Sequence, residues 1–254
     1  MPRESFQNQL DALREDVVGM GDHVLAQLDD ALTALETADA DLASDVVDGD
    51  AAVNERYLDL EARCVDLFAL QQPVASDLRF VAAAFKICTD LERVGDLATN
   101  LGQYALAAGD ADRPLLAATA AASGDLETAS LDAAPASVIE IGRDAQAMLG
   151  DALRAFETED ADACLEIAQR DDELDVLCQH AGEDVVRQLL ATGSDLEGPG
   201  TTDDAATEWD VEHALDDVSR VLLTIRDLER IGDHAVNVAG RTYYAAEHDP
   251  TLIV

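Results

Sequence analysis

The sequence has almost no lysine: Lys86 stands alone beside fifteen arginines, against 54 acidic residues, and the formal net charge is −38. No segment carries a basic run or a basic helix face, which argues against nucleic acid as a direct partner, because phosphate contacts need clustered Lys and Arg. Cysteines number four, Cys64, Cys88, Cys164 and Cys178, and none forms a C-x-x-C pair. Each falls within an apolar helical pattern, so they read as reduced core residues of a cytosolic protein and not as disulfides or a zinc site. No run approaches the ~20 apolar residues of a spanning helix, and the opening "MPRESFQNQL" lacks an apolar signal core. The expectation is a cytoplasmic chain without membrane insertion, which leaves docking on a membrane protein open. Period-two alternation is nowhere sustained, so no strands are expected. Catalytic signatures are missing too: there is no G-x-x-x-x-G-K-[ST] loop, no G-x-S-x-G elbow and no H-E-x-x-H helix. Nor is there any Glu-x-x-His, the motif a ferritin-like carboxylate-metal oxidase needs in pairs.

What the chain does have is charge of one sign and long helical periodicity. A surface this acidic repels itself unless salt shortens the reach of charge, to roughly 3 Å at 1 M, so the expected source is a haloarchaeal or similarly salt-adapted cytoplasm. Phe6, Leu10, Leu13, Val17, Val24, Leu28 and Leu35 recur at steps of three, four or seven, the spacing of one buried helix face. Leu42, Val46, Val53, Tyr57, Leu60, Cys64 and Leu67 do the same, as do Val74, Leu78, Val81, Ala84, Cys88, Leu91, Val94, Ala98 and Leu101. These predict three helices of about nine turns, parted by the polar "TADAD" and by Pro73, which suits a first helical turn. At an offset of 121, "DALTALETADADLASDVVDGD" (30–50) then aligns with "DALRAFETEDADACLEIAQRD" (151–171), which marks an internal duplication. The predicted organisation is a first three-helix unit over 1–108, a linker over 109–134, and a second unit over 135–248 carrying a polar loop insertion at 192–209.

Each unit's last helix contains nearly the same phrase, "DLERVGD" at 90–96 and "DLERIGD" at 227–233. At 100° per residue, Glu92, Asp96 and Asn100 form one row, and Glu229, Asp233 and Asn237 form its copy. Leu91, Val94, Ala98 and Leu101 face the other way, into the core, so the rows are expected outside a three-helix core. The plainer reading of a single copy is a solvated face, with Arg93 paired to Asp90 and Asp96 and with Arg230 in the equivalent place. Two carboxylates one turn apart repel, however, and a cation between them reverses that sign. Around the phrase the copies have drifted ("VAAAFKICT" against "VSRVLLTIR"), while its Asp, Leu, Glu, Arg, Gly and Asp and the later Ala and Asn are identical, which favours a site at each copy. Gly95 and Gly232 sharpen this, since helical glycine costs ~0.8–1 kcal/mol relative to alanine and implies that a backbone, side chain or ligand comes close. Asp50 and Asp171 end the aligned stretch, and Asn54 and Asp175, one turn on, are placed to face the third helix of their own unit. His234, about 100° from the row, reads as a surface histidine.

At this phrase, together with "QQPVASDLRFVAAAFKICTDLERVGDLATN" (71–100), the sequence resembles the PhoU family of phosphate-uptake regulators. The likeness covers almost the whole chain: tandem three-helix units, a Q-x-P-x-x-x-D-L-R start to the third helix, and E-x-x-x-D within D-L-E-R-[VI]-G-D. The resemblance implies an all-α fold of two tandem homologous three-helix bundles, often dimeric. It also implies iron or zinc clusters, or other divalent ions such as Mg or Mn, at the acidic motif of each unit. Glu92, Asp96, Glu229 and Asp233 are then the expected ligands. Asp90 and Asp227 match the start of the motif, although Asp90 lies about 120° from Asp96 and is expected to serve Arg93. The family resembles an adaptor between the phosphate-specific ABC transporter and, in bacteria, a sensor kinase, holding uptake down when phosphate is plentiful. By that resemblance the chain is a non-catalytic repressor docking on a transporter's ATPase subunit or another phosphate-signalling protein. A metal-free helical adaptor is the competing reading, and a carboxylate-metal oxidase a weaker one. One departure is plain: the second unit has "WDVEHALDDV" (209–218) where the Q-x-P-x-x-x-D-L-R start would stand.

Overall fold

A computed structural model of the chain describes residues 2–71, 75–109, 138–195 and 204–253. It contains six helices: α1 Pro2–Thr37, α2 Ala40–Gln71, α3 Ala75–Gly109, α4 Val138–Thr158, α5 Ala161–Asp195 and α6 Asp204–Glu247. There is no strand among the described residues. The 109–134 linker and Pro73 lie outside the described residues, save for Gly109 itself. Of the expected loop at 192–209, residues 192–195 belong to α5 and 204–209 to α6, and the rest lies outside the described residues.

The duplication is visible atom by atom at the first turn of each unit. Thr37 donates its hydroxyl to the Thr33 carbonyl, Ala38 takes a left-handed φ of 56°, and Asp39 accepts from the Leu42 N–H at 3.0 Å. In the second unit Thr158 donates to the Arg154 carbonyl, Glu159 has φ 56°, and Asp160 accepts from the Ala163 N–H at 3.1 Å. A left-handed residue reverses the chain and an Asp N-cap satisfies orphan donors of the next helix, so "TADAD" and "TEDAD" are one device.

α3 packs against α6 and α1 against α4, so four helices form the middle of the molecule, while α2 and α5 flank their own units. The two units therefore share one continuous apolar core, from Leu10 on α1 to Ala239 on α6. Their contact is pseudo-twofold. Gly21 of α1 faces Leu153 of α4, and Gly142 of α4 faces Leu32 of α1; a Cβ on either glycine would lie 2.5 Å from a leucine methyl. Each of these four positions maps onto its counterpart at the offset of 121. All four cysteines are free and buried, and burial pushes the thiols of Cys64 and Cys164 up to about 11 and that of Cys178 up to about 12. They pack as small apolar groups and supply no thiolate.

Candidate functional site

Glu92 and Asp96 on α3 do not face open solvent. They turn toward α2 of their own unit, where Asp50 is among the charges acting on both. Burial, then the charge of Asp96, raises the Glu92 carboxyl above its ordinary range, against the pull of Arg93; burial, then Asp50, raises Asp96. Arg93 forms its ion pair with Glu92, at 3.7 Å, and not with the expected Asp90 and Asp96. A pocket of about 310 Å³ opens here, lined by Asp50, Arg93, Asp96, Leu97, Thr99, Asn100 and, from the other unit, Arg230.

The second unit repeats the carboxylates. Asp171 and Asp175 on α5 stand against Glu229 and Asp233 on α6. Burial, then Asp175, Asp233, Asp172 and Glu229, push Asp171 up to about 6. Burial, then Asp175 and Asp233, raise Glu229, and burial, then Asp233 and Asp172, raise Asp175. The Oδ1 atom of Asp171 is buried and has no hydrogen-bond partner. The costly glycines are explained by these walls: a Cβ on Gly95 would lie 3.0 Å from a Val53 methyl, and one on Gly232 would lie 2.4 Å from a Leu174 methyl and 3.2 Å from Asp171 Oδ1. Close side chains, one of them a carboxylate of the cluster, require the glycine. Gly232→Ala should cost about 1 kcal/mol in urea unfolding, an overpacking penalty of ~1–3 kcal/mol partly offset by alanine's ~1 kcal/mol better helix propensity. A stabilised variant would contradict the contact.

Asn100 lines the pocket with Asp50 and Asp96, but its amide, like that of Asn237, works across the unit boundary. Asn237 donates to Asp90 Oδ1 at 3.3 Å, and Asn100 donates to Asp227 Oδ2 at 3.3 Å, the same bond seen from each unit. Asp90 thus serves α6, not Arg93. His234 is not a surface residue: it is half-buried, with Nδ1 2.9 Å from Asp90 Oδ1. Asp227 is fully buried and also accepts from the Tyr104 hydroxyl at 3.0 Å and from Arg226 at 3.2 Å, with Arg230 at 3.6 Å. Burial and Asp227 push the Tyr104 phenol up to about 12, which keeps it a donor. Asn54, expected to face α3, donates to Asp50 Oδ2 at 2.8 Å on its own helix.

Asp50 and Asp171 are therefore the residues that sequence reading undervalued. Their only signal was closing the aligned repeat with the same residue, which carries little weight in so acidic a chain. The donor set is all oxygen and suits a hard divalent cation, and the partnerless Asp171 Oδ1 and the mutually repelling carboxylates are what such an ion would relieve. Among the described residues, no three His, Cys, Asp or Glu side chains converge on one point as they stand, so an ion would draw the carboxylates inward. The stability sign follows from Asp171. Its folded value of about 6 lies above the ordinary 3.8, so the folded state holds the proton more tightly and stability falls as pH rises from 3.8 through about 6. In chelator at pH 7, Asp171→Asn should stabilise the chain by about 1 kcal/mol, discounted for water's access to the cluster, and flatten the slope of urea midpoint against pH. A destabilised Asp171→Asn at pH 7 contradicts this.

Fold and site define an all-helical tandem-repeat protein in which the last helix of each unit carries the same acidic motif, set against carboxylates of that unit's second helix. The PhoU domain matches residues 17–105 and again 138–242, and the chain belongs to the PhoU family. It is 32% identical over 240 residues, 94% of this chain and 84% of the other, to the phosphate-specific transport system accessory protein PhoU of Escherichia coli. The same identity and share of this chain relate it to the Edwardsiella tarda protein of that name, 83% of which is covered. Among solved structures, PhoU from Pseudomonas aeruginosa superposes with a TM-score of 0.73 at 30% identity, covering 96% of this chain and all of that one. The phosphate transport system regulatory protein PhoU from Streptococcus pneumoniae gives 0.73 at 25% identity over 97% and 99% of the two chains. These relatives are named as accessory and regulatory proteins, and this chain, like them, is not an enzyme. No described helix is long and apolar enough to cross a membrane.

Proposed function

We propose that the chain is a negative regulator of phosphate uptake in a salt-adapted cytoplasm, acting by docking and not by catalysis. The observation that carries this is the match of the PhoU domain to both units, together with relatives named as accessory proteins of a phosphate-specific transport system. The partner is the ATPase subunit of a phosphate ABC transporter or another phosphate-signalling protein, met by a homodimer of this chain. Deleting the gene should leave phosphate uptake, or the genes it controls, high in phosphate-replete cells; an unchanged phosphate response removes the proposal.

The acidic clusters supply the regulator's ion site in this reading. Glu92 and Asp96 with Asp50, and Glu229 and Asp233 with Asp171 and Asp175, are the oxygen donors, and Mg, Mn or ferrous iron suits them better than zinc. A bound ion would neutralise like charges held between two helices and so lock the second and third helix of a unit together. The measurement is metal content after purification without a histidine tag, beside a variant carrying Asp96→Ala and Asp233→Ala. The parent should carry ion above a buffer blank and the variant should lose it. A metal-free parent makes the chain a plain helical adaptor.

A further inference from the structure

Among the described side chains, every lysine and arginine has a carboxylate partner except Arg56, Arg79, Lys86 and Arg241. In a chain with 54 acids that is an anomaly, and all but Arg56 gather on one seam, between α3 and α6. Two contacts fix the register of that seam. Asp90 accepts from Asn237 at 3.3 Å, and Arg79 donates to His248 Nε2 at 2.7 Å, eleven residues away along each helix. The helices are therefore antiparallel, and Lys86, one turn before Asp90, stands opposite Arg241, one turn after Asn237. Lys86 and His248 are exposed, and Arg79 and Arg241 are partly so.

Carboxylates of this stretch are engaged elsewhere: Asp90 holds His234 and Asn237, and Asp249 accepts from the N–H and the hydroxyl of Thr251. Arg79 is left with an imidazole nitrogen, which accepts only while it carries no proton, and its buried Nε has no partner. Along α3, Arg79, Lys86 and Arg93 recur every seven residues, roughly 10.5 Å apart on one stripe. Arg93 is 56% exposed and has only its neighbour Glu92, at 3.7 Å. Exposed Leu78 and Ala82 run beside this row. The second unit does not repeat it. At the offset of 137, Asp216 stands for Arg79 and Leu223 for Lys86, and Tyr104 is the counterpart of Arg241. The departure from the Q-x-P-x-x-x-D-L-R start is thus the loss of a cationic face, which the chain carries once.

Resting on the reading of the chain as a docking regulator, we propose that this seam is the docking surface and that it receives an amphipathic helix of the partner. Apolar residues of that helix cover Leu78 and Ala82, and acidic residues at seven-residue spacing meet Arg79, Lys86 and Arg93. The spacing selects a helix: carboxylates seven residues apart on one match the row step for step, whereas a phosphate-sized anion reaches one step only. A second copy set seam to seam would oppose like charges, so the seam is not an isologous dimer face. Nucleic acid and anionic lipid are repelled by a net charge of −38. In molar salt, steering fades within ~3 Å and contact pairs decide, which makes the spacing of the partner's carboxylates the basis of recognition.

The test is the fluorescence anisotropy of a labelled, stapled helical peptide of three heptads, with one Glu and one Leu in each, titrated with the full chain in molar KCl. The parent should bind it, and the same peptide with Gln for Glu should bind about tenfold more weakly. Lys86→Glu and Arg241→Glu should each cost about tenfold or more, because like charges then face each other, and Lys86→Gln should cost less. Arg56→Glu, which replaces an unpaired cation set against α1 near Gly19, should cost less than about twofold. Circular dichroism of each variant separates lost docking from lost fold. A parent that ignores the peptide, an equal loss with Arg56→Glu, or displacement of the peptide by millimolar tripolyphosphate overturns the proposal. In cells, Lys86→Glu should leave phosphate uptake as unrepressed as deletion of the gene does. A Lys86→Glu strain that still represses overturns the seam and leaves the regulator standing, whereas a deletion without effect removes the regulator reading itself.

Discussion

Asp227→Ala should lower the unfolding free energy by about 3 kcal/mol, although it removes one negative charge from a chain that has far too many. Asp227 is fully buried and is held from both units: Asn100 and Tyr104 reach it from α3, and Arg226 and Arg230 from its own helix. Breaking a buried charged cluster by deleting one partner costs ~3–5 kcal/mol, because the others lose charge-assisted bonds in a place water does not reach. The figure belongs at the low end here, since the Arg226 and Arg230 side chains are 58% and 43% exposed and can turn outward. The uncompensated groups are the Tyr104 hydroxyl and the Asn100 amide. Asp90→Ala, at the pseudo-symmetric position, should cost about half as much, because Asp90 keeps only His234 and Asn237 as hydrogen-bond partners and is 16% exposed. Urea unfolding in molar KCl measures both. An Asp227→Ala variant within about 0.5 kcal/mol of the parent would mean that the boundary between the units is held by apolar packing alone.

Local features of the fold were legible in the sequence: helix faces from apolar spacing, the turn from "TADAD", and the duplication from the offset of 121. Those signals live within a few residues of chain. Where sequence reading went astray, the cause was geometry accumulated over distance or between helices. The row Glu92, Asp96, Asn100 is not a straight line, because eight residues at 100° leave Asn100 about 80° round from Glu92. That drift turns the Asn100 amide onto Asp227 while the residue still lines the pocket beside Asp96, and in the second unit it turns Asn237 onto Asp90. Nothing within one unit reveals that the other unit lies on that side. The glycines did signal a close approach, and it proved to be Val53 and Leu174 with Asp171.

The second large effect expected is of salt. Lowering KCl from molar to about 10 mM should reduce the chain's stability by several kcal/mol, as the Debye length grows from ~3 to ~30 Å. Sixteen basic residues are too few to answer the 54 acids, and most of them are already in ion pairs. Arg14 is taken by Glu159, Arg63 by Asp16, Arg143 by Asp29, Arg154 and Arg170 by Asp151, Arg187 by Asp184, Arg220 by Asp217, and Arg226 and Arg230 by Asp227. With those pairs made, most of the acidic surface has only water and counterions for company, and every helix contributes to the repulsion. Two mechanisms of salt action can be told apart by the shape of the curve. Screening saturates once the Debye length falls below the spacing of surface carboxylates, whereas strengthened apolar burial goes on rising with concentration and is stronger for sulfate than for chloride. The expected result is a steep gain in thermal midpoint at low KCl that levels off, with sulfate and chloride equal at matched ionic strength in the steep region. A midpoint that does not move with KCl would remove the salt-adapted reading of the composition. One that climbs linearly, and further in sulfate, would place the dependence in the shared apolar core and not in the charge.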